Sequence, residues 1–202
     1  MFTMQDAERE LEMAGALNPG KWVDHSRATA QNARLIAEKV EGLDAEKAYC
    51  MGLLHDIGRR VGVVAIRHIL EGFYYMNKIG QPEIARICLT HSFPGKGSDT
   101  YFGKYDCTEE EKQFLHEYIS NVEYDDYDRL IQLCDAISLP SGACIMEKRL
   151  IDVALRYGVP EFAPEKWKAS MANKKHFDEL CGCNIYTLLP NVMENSYEDL
   201  SG

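Results

Sequence analysis

The sequence contains no apolar run approaching the ~20 residues that a membrane-spanning helix needs, so no membrane association is expected. Its start, Met1 to Ala16, scatters acids among apolar residues and lacks the basic stretch of a secretory leader, which points to a cytoplasmic protein. Positive charge is scarce: 22 Lys and Arg face 32 Asp and Glu, for a formal net charge of -10. Such a surface repels a long polyanion on average and argues against nucleic-acid polymers as partners. A small anionic substrate is still compatible if a few cations gather in one cleft. The seven cysteines are odd in number and form no disulfide framework. Cys181 and Cys183 are separated by one glycine, unlike the two-residue spacing of a zinc knuckle or thioredoxin-like pair, so reduced, partly buried thiols are expected. Sustained period-two alternation, internal repeats and low-complexity segments are all missing, which sets aside sheet and solenoid architectures. No Ser or Cys lies in a strand-turn-helix elbow, so a covalent nucleophile is not indicated.

What is present is helical periodicity over nearly the whole chain. With 202 residues, 46% of them apolar, the chain suits a single all-α domain over 1-202 with a sizeable core. The pattern predicts helices over Met4 to Leu17, ended by Asn18-Pro19-Gly20; over Val23 to Val40; and from Asp44, a good N-cap, to Asp56, broken by Gly58. Further helices are predicted over Gly62 to Ile79 and from Pro82 at a first helical position to His91. Phe93 to Cys107 is rich in Gly, Pro, Asp and Tyr and reads as a loop able to cover a site. Thr108 and Glu111 form a capping-box pattern opening a helix to Asn121. Three more helices follow, from Tyr124-Asp125-Asp126 through Leu139, from Ile145 to Tyr157, and from Pro164 to Leu180, and then a short apolar segment, Ile185 to Leu189.

The most informative string is Leu53-Leu54-His55-Asp56-Ile57-Gly58-Arg59. Ala48, Met51, Gly52 and His55 share one helix face, so His55 points inward, while Asp56 points about 100° away unless the helix end frays and the two converge. Taken alone, this pair reads as a helix terminus with an exposed acid. It is not alone. His25 shares a face with Thr29, Ala33, Ile36 and Val40. Asp135 lies within the apolar run Leu130 to Ile137, a poor place for a solvated carboxylate, and a divalent cation is one of the few partners that offsets the cost of burying one. Imidazole plus carboxylate suits Fe, Mn, Ni, Co, Zn or Mg.

The order His, His-Asp, then a distant Asp resembles the HD superfamily of metal-dependent phosphohydrolases. The matching strings are Val23-Asp24-His25-Ser26, Leu53 to Arg59, and Leu133-Cys134-Asp135-Ala136, with the core taken as 20-140 and 141-202 as a helical C-terminal extension. The resemblance implies a helical bundle with His25, His55, Asp56 and Asp135 as ligands of one metal site. His68 and His91 both sit on apolar faces, where a lone histidine is commonly a hydrogen-bonded core residue. Binuclear members of the superfamily place two histidines between the His-Asp pair and the last Asp, so the resemblance implies that Asp56 bridges and that His68 and His91 hold a second metal. His116 and His176 read as solvent-facing. Arg59 takes the position of the basic residue that often follows the His-Asp pair, and is either a phosphate-binding fork or a helix-end cation. Lys96, in the loop, and Arg149 are further substrate-binding candidates; Arg60 is a weaker one. Asp128, two turns before Asp135, is a candidate to support the ligands. The implied activity is hydrolysis of a small phosphate ester, possibly a nucleotide, by metal-activated water, with Asp56 and Arg59 as catalytic residues. Two alternatives share the pattern: a mixed-valent diiron oxygenase acting on a small polyol or phosphonate, and a non-catalytic nucleotide-binding domain.

Overall fold

The computed structural model describes residues 2–197. Ten α-helices lie among them: α1 Met4–Leu17, α2 Lys21–Ala37, α3 Ala45–Leu54, α4 Arg67–Lys78, α5 Pro82–Thr90, α6 Glu109–Asn121, α7 Asp126–Ala136, α8 Met146–Tyr157, α9 Ala163–Cys181 and α10 Val192–Tyr197. The fold is thus the expected all-α bundle. No helix among the described residues is long and apolar enough to cross a membrane. The starts follow their capping chemistry. The Asp44 side chain accepts from the backbone N–H groups of Glu46 and Lys47 at 2.9 and 3.0 Å. Thr3–Asp6, Thr108–Glu111 and Asp125–Asp128 form reciprocal capping boxes on α1, α6 and α7.

Several boundaries differ from the sequence expectation, among them the end of α2, at Ala37 rather than Val40, and that of α3, at Leu54 rather than Asp56. The stretch Gly62 to Ile79 is not one helix. Ile57–Val61 forms a 3-10 turn, Gly62 takes φ +127°, and α4 begins only at Arg67. Its start is held from afar: the Asp106 carboxylate accepts from the N–H groups of Ala65 and Arg67 at 2.7 and 2.8 Å. The helix expected through Leu139 stops at Ala136, and Ser138–Leu139 (β1) pairs antiparallel with Gly142–Ala143 (β2) in a minimal hairpin. Helix α10 lies beyond the last expected segment, of which only Ile185–Thr187 is a 3-10 turn.

Two close backbone approaches determine where the inward polar residues meet. A Cβ on Gly52 would lie 2.8 Å from Ala30 Cα, so α3 packs on α2 at a distance only glycine allows. A Cβ on Gly58 would lie 1.9 Å from the His68 carbonyl oxygen, so the 3-10 turn after Asp56 is pressed directly onto α4. The larger core, with Leu11, Ile36, Leu53, Leu54 and Ile57 fully buried, lies beneath these contacts, each such side chain contributing ~1.5–3 kcal/mol. A smaller cluster, including Ile66, Leu70, Leu89, Phe93 and Leu115, ties α4 and α5 to α6. Residues of the C-terminal extension, Phe177, Ile185 and Val192 among them, enter the larger core. All seven cysteines are free, four of them buried; burial raises the Cys50 and Cys144 thiols to about 11.

Candidate metal centre

His25 sits in the second turn of α2, His55 caps the C-terminus of α3, and Asp56 follows where that helix has ended, with φ −103° and ψ 14°. This frayed end is what lets adjacent residues turn toward one point. His68 opens α4, His91 caps α5, and Asp135 lies in the last turn of α7. All six implied ligands converge. Nitrogen and carboxylate atoms of His25, His55 and Asp135 lie within 4.8 Å of one another, as do those of His55, Asp56 and His91. His68 Nε2 lies 3.0 Å and His91 Nε2 3.7 Å from Asp56 Oδ1. The rings of His25 and His55 are 5.4 Å apart, those of His55 and His91 5.0 Å, and those of His68 and His91 5.7 Å.

The hydrogen bonds fix which nitrogen faces the centre. His55 Nδ1–H donates to the Gly52 carbonyl at 2.6 Å, His91 Nδ1–H to Ile87 at 3.1 Å, and His68 Nδ1–H to Ala65. Each Nε2 therefore carries its lone pair inward, the arrangement that orients a metal-ligating imidazole. Nε2 of His55 and of His68 is buried with no hydrogen-bond partner, an unfavourable condition that a cation relieves. The donor set, imidazole nitrogens with carboxylate oxygens, suits a divalent transition metal. The residues present therefore fit a metal.

The electrostatics agree. Burial would raise Asp56, but the Arg59 guanidinium beside it, with the imidazoles of His68 and His55, holds its carboxyl well below the ordinary range. Burial likewise opposes ionisation of Asp135, and its hydrogen bond and charge interaction with His25 outweigh it. Burial lowers His25, and lowers His91 to about 3, so both imidazoles are neutral at physiological pH. Two ionised carboxylates beside the neutral imidazoles of His25 and His91 match the protonation state that metal ligands require.

Around the centre opens a cleft of about 810 Å³. Six cations line it (Lys21, Arg59, Lys148, Arg149, Arg156 and Lys166) against four acids, two of which are the candidate ligands Asp56 and Asp135. An acidic chain thus gathers six of its cations around one cleft. Arg59 Nε donates to Asp56 Oδ2 at 2.6 Å. Arg149 approaches Asp135 at 3.9 Å and donates to Asp152 at 2.6 Å. Lys96 stands apart: it does not line the cleft, and its ammonium lies over the Tyr124 ring at 5.4 Å. Arg60 stacks on Tyr75. The loop after His91 walls one side of the cleft through Ser92, Pro94, Tyr101 and Phe102.

Asp128, the candidate to support the ligands, is fully buried. It accepts from Arg86 Nη2 at 2.5 Å and from Thr90 Oγ1 at 2.7 Å, while Gln132 Nε2 donates to the Thr90 carbonyl at 3.0 Å. This network fixes the turn that presents His91. His116 is exposed, bonded to Ser98 at 2.8 Å, as its charged helix suggested. His176, expected to face solvent, is half-buried and paired with Asp126 at 2.8 Å, because α9 packs against the start of α7. Tyr101, Trp22, Arg156 and Lys166 line the cleft without having been singled out from the sequence. Lys166 lies among charged neighbours in Pro164-Glu165-Lys166-Trp167-Lys168, which read locally as a solvated face; no signal within that string distinguishes it.

A family model described as HD domain matches residues 22–139, more than half of the chain. No curated protein and no solved structure matches this chain.

Proposed function

Because the chain belongs to the HD domain family, whose members are mostly metal-dependent phosphohydrolases, we propose that it hydrolyses a small phosphate ester at the His/Asp centre. The observation that carries this reading is the pair of buried, unpartnered Nε2 atoms, on His55 and His68, that flank the ionised Asp56 at the floor of a cationic cleft. In this reading His25, His55, Asp56 and Asp135 hold one divalent metal, and Asp56, His68 and His91 hold a second. When bound, such metals supply positive charge that acidifies water and polarises a phosphoryl oxygen. The protein's own residues do the rest. Backbone carbonyls of Gly52, Ala65 and Ile87 hold three imidazoles in one tautomer. Arg59 fixes the Asp56 carboxylate through Nε and leaves its terminal nitrogens to meet a phosphoryl oxygen, a geometry that suits a guanidinium fork. Arg149 adds a second guanidinium beside Asp135, with its Nε buried and without a hydrogen-bond partner. Tyr101 and Phe102 shield the centre from bulk water on the loop side. The substrate is a small anion, since a cleft of this volume and this local charge in an acidic chain favours a compact phosphate ester over a polymer.

The test is metal analysis of protein purified without added metal, followed by phosphate release from a panel of phosphomonoesters and nucleotides. Metal-dependent release under anaerobic conditions is expected. Turnover that needs both iron and oxygen, without phosphate release, would replace the hydrolase with the diiron oxygenase. Saturable nucleotide binding without turnover of any panel member would favour a binding domain.

A further inference from the structure

Lys166 projects from the first turn of α9, outside the segment that matches the HD domain. Its Nζ donates to the Ser92 carbonyl at 2.7 Å and to the Thr100 carbonyl at 2.8 Å. These are the two ends of the loop that leaves His91 and returns to Tyr101, both of which line the cleft together with Lys166 itself. The rings of Phe93 and Phe102 lie 5.8 and 5.2 Å from Nζ. No carboxylate among the described residues pairs with this ammonium; Asp135 acts on it only through space. Burial lowers it to about 8. An ammonium carries three donors, and two are engaged. The third donor and the uncompensated charge are left for the cleft. A part-buried cation with hydrogen bonds but no counter-charge suits an anion, because the ligand itself supplies the missing charge. Arg149, on α8, lines the same cleft, and its Nε is buried without a hydrogen-bond partner.

We propose that Lys166 is a substrate-binding residue that takes an anionic phosphoryl oxygen through its third N–H, a role that rests on the phosphohydrolase reading above. The C-terminal extension then does more than complete the core: α9 supplies a contact that the matched HD segment lacks, and the same ammonium holds the loop bearing Tyr101 against the bound anion.

The experiment uses the full chain loaded with metal and inorganic phosphate as the probe, with binding read by calorimetry. Lys166→Gln keeps a neutral donor for the loop carbonyls, and Lys166→Arg keeps the charge. Loss of a charged hydrogen bond is expected to weaken phosphate binding about tenfold or more in Lys166→Gln, with metal content and melting temperature near those of the parent. Lys166→Arg is expected to bind within about threefold of the parent. Site-resolved amine acylation of the unaltered protein gives a second reading that survives a folding failure in either variant. Phosphate should protect Lys166 and leave the exposed Lys175 as reactive as before. A parent that holds metal, binds phosphate and releases it from esters, with Lys166→Gln indistinguishable and Lys166 unprotected, overturns the assignment of Lys166 alone. A parent that holds no metal and binds no phosphate overturns the phosphohydrolase reading and this one together.

Discussion

Asp56 carries the most consequence of any side chain, because its two oxygens face different partners: Oδ1 the imidazoles of His68 and His91, Oδ2 the guanidinium of Arg59. Asp56→Ala removes the one charge adjacent to both candidate metal positions. We expect loss of metal retention and of turnover with most of the helical circular dichroism kept, since the apolar core beneath the site does not depend on this carboxylate. Full metal content and full activity in this variant would remove Asp56 from the ligand set. His68→Ala and His91→Ala separate the two metal positions. Each should lower stoichiometry from about two toward one, whereas a purely structural histidine would leave the metal count unchanged. The six candidate ligands were legible in the sequence as polar residues in apolar surroundings, in the order that the resemblance to the family implies. Lys166 was not, because its half-buried position against the cleft arises from the loop that folds over it and from no pattern in its own helix.

At the scale of elements, the site depends on how closely helices approach. Gly58→Ala would push its Cβ into the His68 carbonyl, against backbone that cannot rotate away. Overpacking of this kind costs about 1–3 kcal/mol and occasionally more, and here the displacement would move His68 from Asp56. A lowered denaturant midpoint together with weaker binding of the second metal is expected; an unchanged midpoint would mean the turn and α4 are not held at this distance. Helix α8 is the opposite case. Only Met146 of its residues is fully buried, and Ile151, Leu155 and Tyr157 are exposed, while Arg149, Asp152, Val153 and Arg156 face the cleft. Few buried apolar contacts mean low local stability. Its amides should exchange with solvent well before those of α3, and substrate should slow them. Equal protection of α3 and α8 without ligand would contradict that account. The element boundaries missed from the sequence share a cause. The start of α4 is capped by Asp106, some forty residues away, and Ser138–Leu139 leaves helix to pair with Gly142–Ala143. Neither signal is local, whereas Thr3, Asp44, Thr108 and Asp125 cap their own helices and could be read directly.

For the whole molecule, the same residues that prepare a metal site make the metal-free protein sensitive to acid. His91 titrates near 3 in the fold and His25 is also lowered by burial, against about 6.5 for an unfolded imidazole. Above that value both states are neutral and these groups contribute nothing to the pH dependence. Below it the unfolded chain binds protons that the native chain refuses, so stability falls with pH, and continues to fall until the folded values are reached. Asp56 and Asp135 act lower down. Their folded values are depressed, so the stability they contribute is present above the unfolded carboxylate value of about 4 and is lost as pH drops beneath it. Metal-free protein should therefore show a melting temperature that declines steadily from about pH 6.5 to pH 4, by about 2–4 °C for each kcal/mol lost. Metal-loaded protein should melt higher at pH 7, since the metal binds only the native ligands. It should fall more steeply below pH 6, as protons compete for the imidazoles and release the metal. His91→Ala should flatten the metal-free curve between pH 6.5 and 4. A metal-free melting temperature that stays constant from pH 7 to 5 would show that His25 and His91 accept protons in the fold, contrary to their burial beside His55.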